Sequence, residues 1–93
     1  MAQGARPMPQ PNVAYTQLPN GEAVLLHMEK RKYYVLNVTA ARIWDMLSEG
    51  RTADEMAAGL ADEFEVDAEH ARESVSRLLS ELGSGGFLRG PAR

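Results

Sequence analysis

Four groups of residues in this sequence have side chains or backbone suited to chemistry. They are the two histidines, His27 and His70; the acidic run from Asp54 to Glu69; the Gly-Ser-Gly-Gly at 83–86; and the adjacent Tyr33 and Tyr34 beside the charged Glu29-Lys30-Arg31-Lys32. Histidine is the usual proton shuttle and metal ligand near neutral pH, but each histidine here stands alone, the ordinary situation of a surface or core residue. Nucleophilic catalysis would need a Ser or Cys beside a base. The chain has no cysteine and no Ser/His/Asp grouping on a recognisable turn. A metal needs several converging ligands; Asp67 and His70, at i, i+3, are the candidate pair, and Asp67 sits where a helix needs a cap. The acidic run lacks the spacing of a calcium loop. The glycine run follows a helical pattern, whereas a phosphate cradle precedes one, so it reads as a helix end. The expectation is a chain that is not an enzyme and has no catalytic residue, no metal and no cofactor.

What remains is the tyrosine pair, and its meaning depends on the elements that carry it. Residues 1–12 hold Pro7, Pro9 and Pro11 without apolar periodicity and read as a disordered or extended Pro-rich tail. Residues 13–18 (VAYTQL) alternate weakly, as a first strand. Asn20-Gly21 in PNGE predicts a type I′ hairpin turn, because both residues tolerate positive φ. Residues 23–28 (AVLLHM) form a second strand, EKRK reverses the chain, and residues 33–37 (YYVLN) form a third. Together they predict a small antiparallel meander.

After Asn37 the period changes. Ala40, Ile43, Trp44 and Leu47 fall at i, i+3, i+4, i+7, the core stripe of a helix capped by Asn37 and stopped at Gly50. Thr52 with Glu55 predicts a capping box for a second helix, whose apolar face is Ala53, Met56, Ala57, Leu60, Ala61 and Phe64. Gly59 weakens that helix by roughly 1 kcal/mol against Ala, a cost that close helix packing would explain. Asp67 caps a third helix with Ala71, Val75, Leu78, Leu79 and Leu82 at helical spacing, terminated by the glycine run. Phe87-Leu88-Arg89 is a short apolar tail able to fold back on the core. The expected architecture is α+β and winged-helix-like, a three-stranded antiparallel sheet followed by three helices. One domain spans residues 13–89, and residues 90–93 are a flexible C-terminus.

The helix order invites a DNA-binding reading, and the charge argues against it. Residues 1–44 carry five basic and two acidic side chains, while residues 45–93 carry five basic and eleven acidic ones. Seven acids and no Lys or Arg lie between Asp54 and Glu69, where a recognition helix would need cations for phosphates. No apolar run approaches the ~18 residues of a membrane span. The N-terminus has no apolar core, so it does not read as a secretory signal, and a chain without cysteine suits a cytoplasmic setting.

Peptide binding is a further reading, beside the plain one in which both tyrosines are ordinary strand residues that stabilise the sheet. The last strand of a three-stranded meander can leave one flank unpaired, and an open edge is a template for another strand. On alternation Tyr34 and Leu36 share one face and Tyr33 and Val35 the other; which pair faces the helices is left open. The basic turn would guide an acidic peptide. The same edge could pair with a second copy of the chain.

These segments resemble the PqqD-like family, the RiPP recognition elements. The resemblance rests on AVLLHM, a charged turn, YYVLN, then TAARIWDML, with RTADEMAAGLADEF and VSRLLSELGSGGFL following in the same order, over about residues 14–89. Val38 stands where relatives often have proline. The chain looks most like the stand-alone recognition protein of lasso-peptide biosynthesis, with the pyrroloquinoline-quinone branch second. The resemblance implies binding of the leader of a ribosomally made precursor peptide as a strand added to the third strand, beside the third helix. It also implies delivery to a leader peptidase and a macrocyclase, without catalysis. Carried onto this chain, the peptide-binding residues would be Arg31, Lys32, Tyr33, Tyr34, Val35 and Leu36 on the strand, and Arg72, Val75, Ser76 and Leu79 on the helix. Leu78, Leu82 and Trp44 are expected in the core.

Overall fold

The computed structural model describes residues 8–89. In chain order these form β1 (Met8–Pro9), β2 (Val13–Gln17), β3 (Ala23–His27), β4 (Lys32–Leu36), α1 (Val38–Ser48), α2 (Ala53–Phe64), α3 (Ala68–Gly85) and β5 (Leu88–Arg89). Strands β2, β3 and β4 make an antiparallel sheet in that order, with Leu25 opposite both Tyr15 and Tyr34, and Ala23 opposite Leu36. The α+β architecture, a three-stranded sheet followed by three helices, is the one expected.

One face of the sheet packs on the helices. Ala23 and Leu25 from β3 and Leu36 from β4 are fully buried beside Ile43, Met46 and Leu47 of α1, Met56 and Leu60 of α2, and Val75 and Leu82 of α3. Trp44 is core, stacked on Tyr15 with ring centroids 6.3 Å apart. The helix starts follow the predicted chemistry. Asn37 accepts from the Ala40 N–H at 2.8 Å, Thr52 and Glu55 form a reciprocal capping box, and Asp67 accepts from the His70 N–H at 2.7 Å. Arg42 reaches from α1 to Glu63 of α2 through bonds of 2.8–3.1 Å. A Cβ on Gly59 would stand 2.9 Å from the Met46 sulfur, so α1 and α2 meet where the sequence places a glycine inside a helix.

Two local expectations are corrected. Residues 8–12 do not form a disordered tail. Met8 and Pro9 pair antiparallel with Arg89 and Leu88, and the Gln10 side chain donates to the Leu88 carbonyl. The apolar Phe87 draws the end of the chain onto the core and gives those residues a partner. Residues 1–7 and 90–93 lie outside the described residues.

The PNGE turn is not type I′. Arg31 and Glu65 are the non-glycine residues with positive φ among those described, and only Gly21 is positive in this turn. Gly21 N–H donates to Leu18 O, and Leu18 N–H to Glu22 O. This is a three-residue loop in which Pro19 presets the negative φ of a type I turn and Gly21 takes the left-handed position.

The glycine run terminates α3 as expected, at its last residue. The helix continues through Gly83 and Gly85, and only Gly86, at φ +83°, ends it. A Cβ on Gly86 would lie 2.9 Å from the Lys30 ammonium, so the β3–β4 turn sits against the end of α3.

The sheet's orientation gives a direct test. Leu36→Ala should destabilise the fold by about 3 kcal/mol, as for a fully buried leucine. Val35→Thr, one residue away on the exposed face, should stay within about 0.5 kcal/mol. Urea unfolding followed by circular dichroism measures both.

Candidate functional site

Strand β4 pairs with β3 on one side, and no strand among the described residues covers the other. Its alternation is resolved. Tyr34 and Leu36 turn toward the helices, while Tyr33 (71% exposed) and Val35 (56%) stand on the outer face. Across the sheet Leu26, opposite Tyr33, adds a third exposed apolar group to that face. Arg31, in the left-handed conformation, and Lys32 lie exposed where the strand begins.

Beside the open edge runs a groove of about 330 Å³ between β4 and α3. Tyr34 and Val35 form one wall. His70, Ser74, Arg77, Leu78 and Glu81 of α3 form the other. Ala40, Ile43, Leu60, Phe64 and Ala71 supply an apolar floor from all three helices. The Tyr34 hydroxyl crosses the groove to donate to the Glu81 carboxylate, and the Tyr34 ring meets Phe87 edge-on at 6.0 Å. Phe87 is buried and meets the His27 ring in the same manner, so this end of the groove is plugged. Hydrogen bonding to Glu81 and burial push the Tyr34 hydroxyl up to about 12, so it is a protonated donor at neutral pH.

The strand half of the predicted site is assembled along one edge. On the helix side, none of the expected Arg72, Val75, Ser76 and Leu79 lines the groove. Val75 is 1% exposed and belongs to the core; Leu79 packs partly against that core from the far flank, and Arg72 and Ser76 are exposed. The buried stripe of α3 runs through Ala71, Val75, Leu78 and Leu82, and either flank of that stripe could have faced β4. The flank that does so is His70, Ser74, Arg77 and Glu81, spaced i, i+4, i+7, i+11. Leu78 is both core and groove wall.

The other chemically able groups have structural roles. His27 is buried and its Nδ1 accepts the Lys30 N–H at 3.3 Å. Among the described residues no three His, Asp or Glu side chains converge as a metal site would require. None of the described helices is long and apolar enough to cross a membrane.

Residues 22–88 match the family described as coenzyme PQQ synthesis protein D (PqqD). The chain belongs to the PqqD family. No curated protein matches it. Two solved structures are similar to this PqqD-family chain over nearly their whole length. One is TbiB1 in complex with the TbiA(beta) leader peptide, 27% identical with a TM-score of 0.85, covering 92% of this chain and 99% of that one. The other is lasso peptide synthetase B1 complexed with the leader peptide, 28% identical with a TM-score of 0.80, covering 95% and 100%. Family and likeness together make this a PqqD-like RiPP recognition element.

The raised Tyr34 hydroxyl has a stability consequence. A tyrosine whose pKa is higher in the folded state contributes fully below its unfolded value of about 10 and loses that contribution as pH rises through about 12. Unfolding free energy should therefore fall more steeply over that alkaline interval in the wild type than in Tyr34→Phe, as denaturant titrations at stepped pH would record.

Proposed function

We propose that this chain is a non-catalytic recognition module that binds the leader of a ribosomally made precursor peptide. The leader adds as a strand along the open flank of β4, and the chain delivers it to the leader peptidase and macrocyclase of lasso-peptide biosynthesis. The observation that carries the reading is the coincidence of an unpaired strand edge with a groove along that same edge. Backbone groups of β4 offer hydrogen bonds, and the groove takes alternate side chains of the guest. Five residues of β4 span roughly 17 Å, enough to pair a short leader segment. Both structural relatives hold a leader peptide, and both align over nearly all of this chain.

Arg31, Lys32, Tyr33, Tyr34, Val35 and Leu36 are the strand contribution in this proposal. On α3 the proposed contribution moves to Ser74, Arg77 and Leu78, with Glu81 held by the Tyr34 hydroxyl. No chemistry is required of the module. Recruitment raises the local concentration of a precursor at the enzymes that process it. The family description favours a second reading, a peptide chaperone for pyrroloquinoline-quinone biosynthesis, which would use the same edge for another precursor.

Titration of labelled protein with the synthetic leader of a lasso-peptide precursor tests the proposal. Amide shifts should concentrate in residues 32–36 and along the His70–Glu81 flank. Ser74→Trp, which fills the groove from its wall, should weaken binding about tenfold or more, equivalent to ~1.4 kcal/mol. Ser76→Trp, on the other flank, should leave affinity unchanged. Saturating leader that leaves the β4 amides unmoved would end the strand-addition mechanism. Preferential binding of a pyrroloquinoline-quinone precursor would favour the second reading.

A further inference from the structure

Arg77 is a cation on the groove wall that forms no ion pair among the described residues, although carboxylates stand four residues away on either side of it, at Glu73 and Glu81. An Arg and a Glu four apart on a helix are ordinarily close enough to pair. Glu81 is instead engaged across the groove by the Tyr34 hydroxyl. Tyr34 is itself held, its ring edge-on to the buried Phe87 at 6.0 Å. The phenol thus holds the Glu81 carboxylate toward the strand, and that carboxylate does not reach the guanidinium.

Resting on the leader-binding reading above, we infer that Arg77 is the anion-recognising group of the groove and that Tyr34 is a positioning residue which keeps it available by holding Glu81. The guest is then an acidic peptide of defined pattern. In a strand added to β4, the residue beside Tyr34 points to the helix side, into the groove that Arg77 helps to line. The residue two positions along, beside Leu36, points to the same side over the apolar floor of Ile43, Leu60 and Phe64. The inward face of the guest therefore carries an Asp or Glu two residues from a bulky apolar side chain. The exposed Arg31 and Lys32 at the start of β4 extend the same positive track along the edge. A carboxylate meeting the planar guanidinium fork gains a charge-assisted, bidentate contact that an amide does not.

Calorimetry with the synthetic leader, and with versions in which each acidic residue in turn becomes its amide, tests this. Arg77→Gln should bind the parent leader about fivefold more weakly, the scale of a partly exposed charge-assisted bond. One amide version should bind wild type and Arg77→Gln equally. Tyr34→Phe keeps the ring packing but frees Glu81, and should weaken the parent leader about threefold, since an i, i+4 pair on a helix is a modest competitor. Adding Glu81→Gln to Tyr34→Phe should restore affinity to within about twofold of wild type, a rescue that a purely structural role for Tyr34 would not give. Wild-type affinity in Arg77→Gln overturns the inference while leaving leader binding standing. Failure of Glu81→Gln to rescue Tyr34→Phe overturns the positioning role. Absence of any leader binding by the wild type overturns the leader reading and the inference with it.

Discussion

The burial of Leu36 at the end of β4 is the constraint on which the rest depends. Leu36 is fully buried at the junction of sheet and helices, and a strand with one buried residue of this size has one permitted register. A slip by one position would expose Leu36 and Tyr34 and drive Tyr33 and Val35 into the core. Asn37 follows immediately and caps α1, so the same anchor fixes where the sheet ends and the helices begin. With β4 pinned in this way, its free flank keeps a constant relation to α3.

The space between β4 and α3 is shaped from its plugged end. Tyr34, Phe87, Glu81 and the Lys30 side chain against Gly86 gather there, tying the β3–β4 hairpin to the last turns of α3. Phe87 reaches this position because the chain turns sharply at Gly86. A Cβ on Gly85 would stand 2.9 Å from the Phe87 ring, which accounts for a small residue inside the final turn of a helix. The glycine-rich segment, which reads in the sequence as a helix end, also brings one aromatic ring onto the core.

The site has the character of a recognition surface. It combines unpaired backbone, an apolar floor and a few charged groups on the rim, and its perturbed tyrosine serves as a hydrogen-bond donor between two walls. The charge division along the chain has the same logic. Three of the five basic side chains of the first half, Lys30, Arg31 and Lys32, stand at the start of the open strand, while the acidic second half lies mostly on α2 and α3. Arg77 is an exception placed on the groove wall, and an isolated cation in an acidic helical layer is well suited to select one feature of a guest.

Much of this was legible in the sequence, because the signals are local. The change of period at Asn37, the caps at Asn37, Thr52 and Asp67, the core stripes of the helices and the open third strand all follow from spacing and side-chain chemistry within a few residues. The resemblance carried by YYVLN and ARIW is legible there too, as a likeness to a family and not as a product of spacing. Tertiary structure decided what local spacing leaves degenerate. A strand with apolar residues on both faces, Tyr34 and Leu36 against Tyr33 and Val35, does not say which face is buried until the helices arrive. A helix with one apolar stripe has two flanks of equal standing, and only the packing of α3 on α2 and the sheet turned His70, Ser74, Arg77 and Glu81 toward β4 rather than Arg72, Ser76 and Leu79. The tie between residues 8–12 and the end of the chain was equally invisible, because strand pairing across the whole length of a domain leaves no periodic mark in either segment.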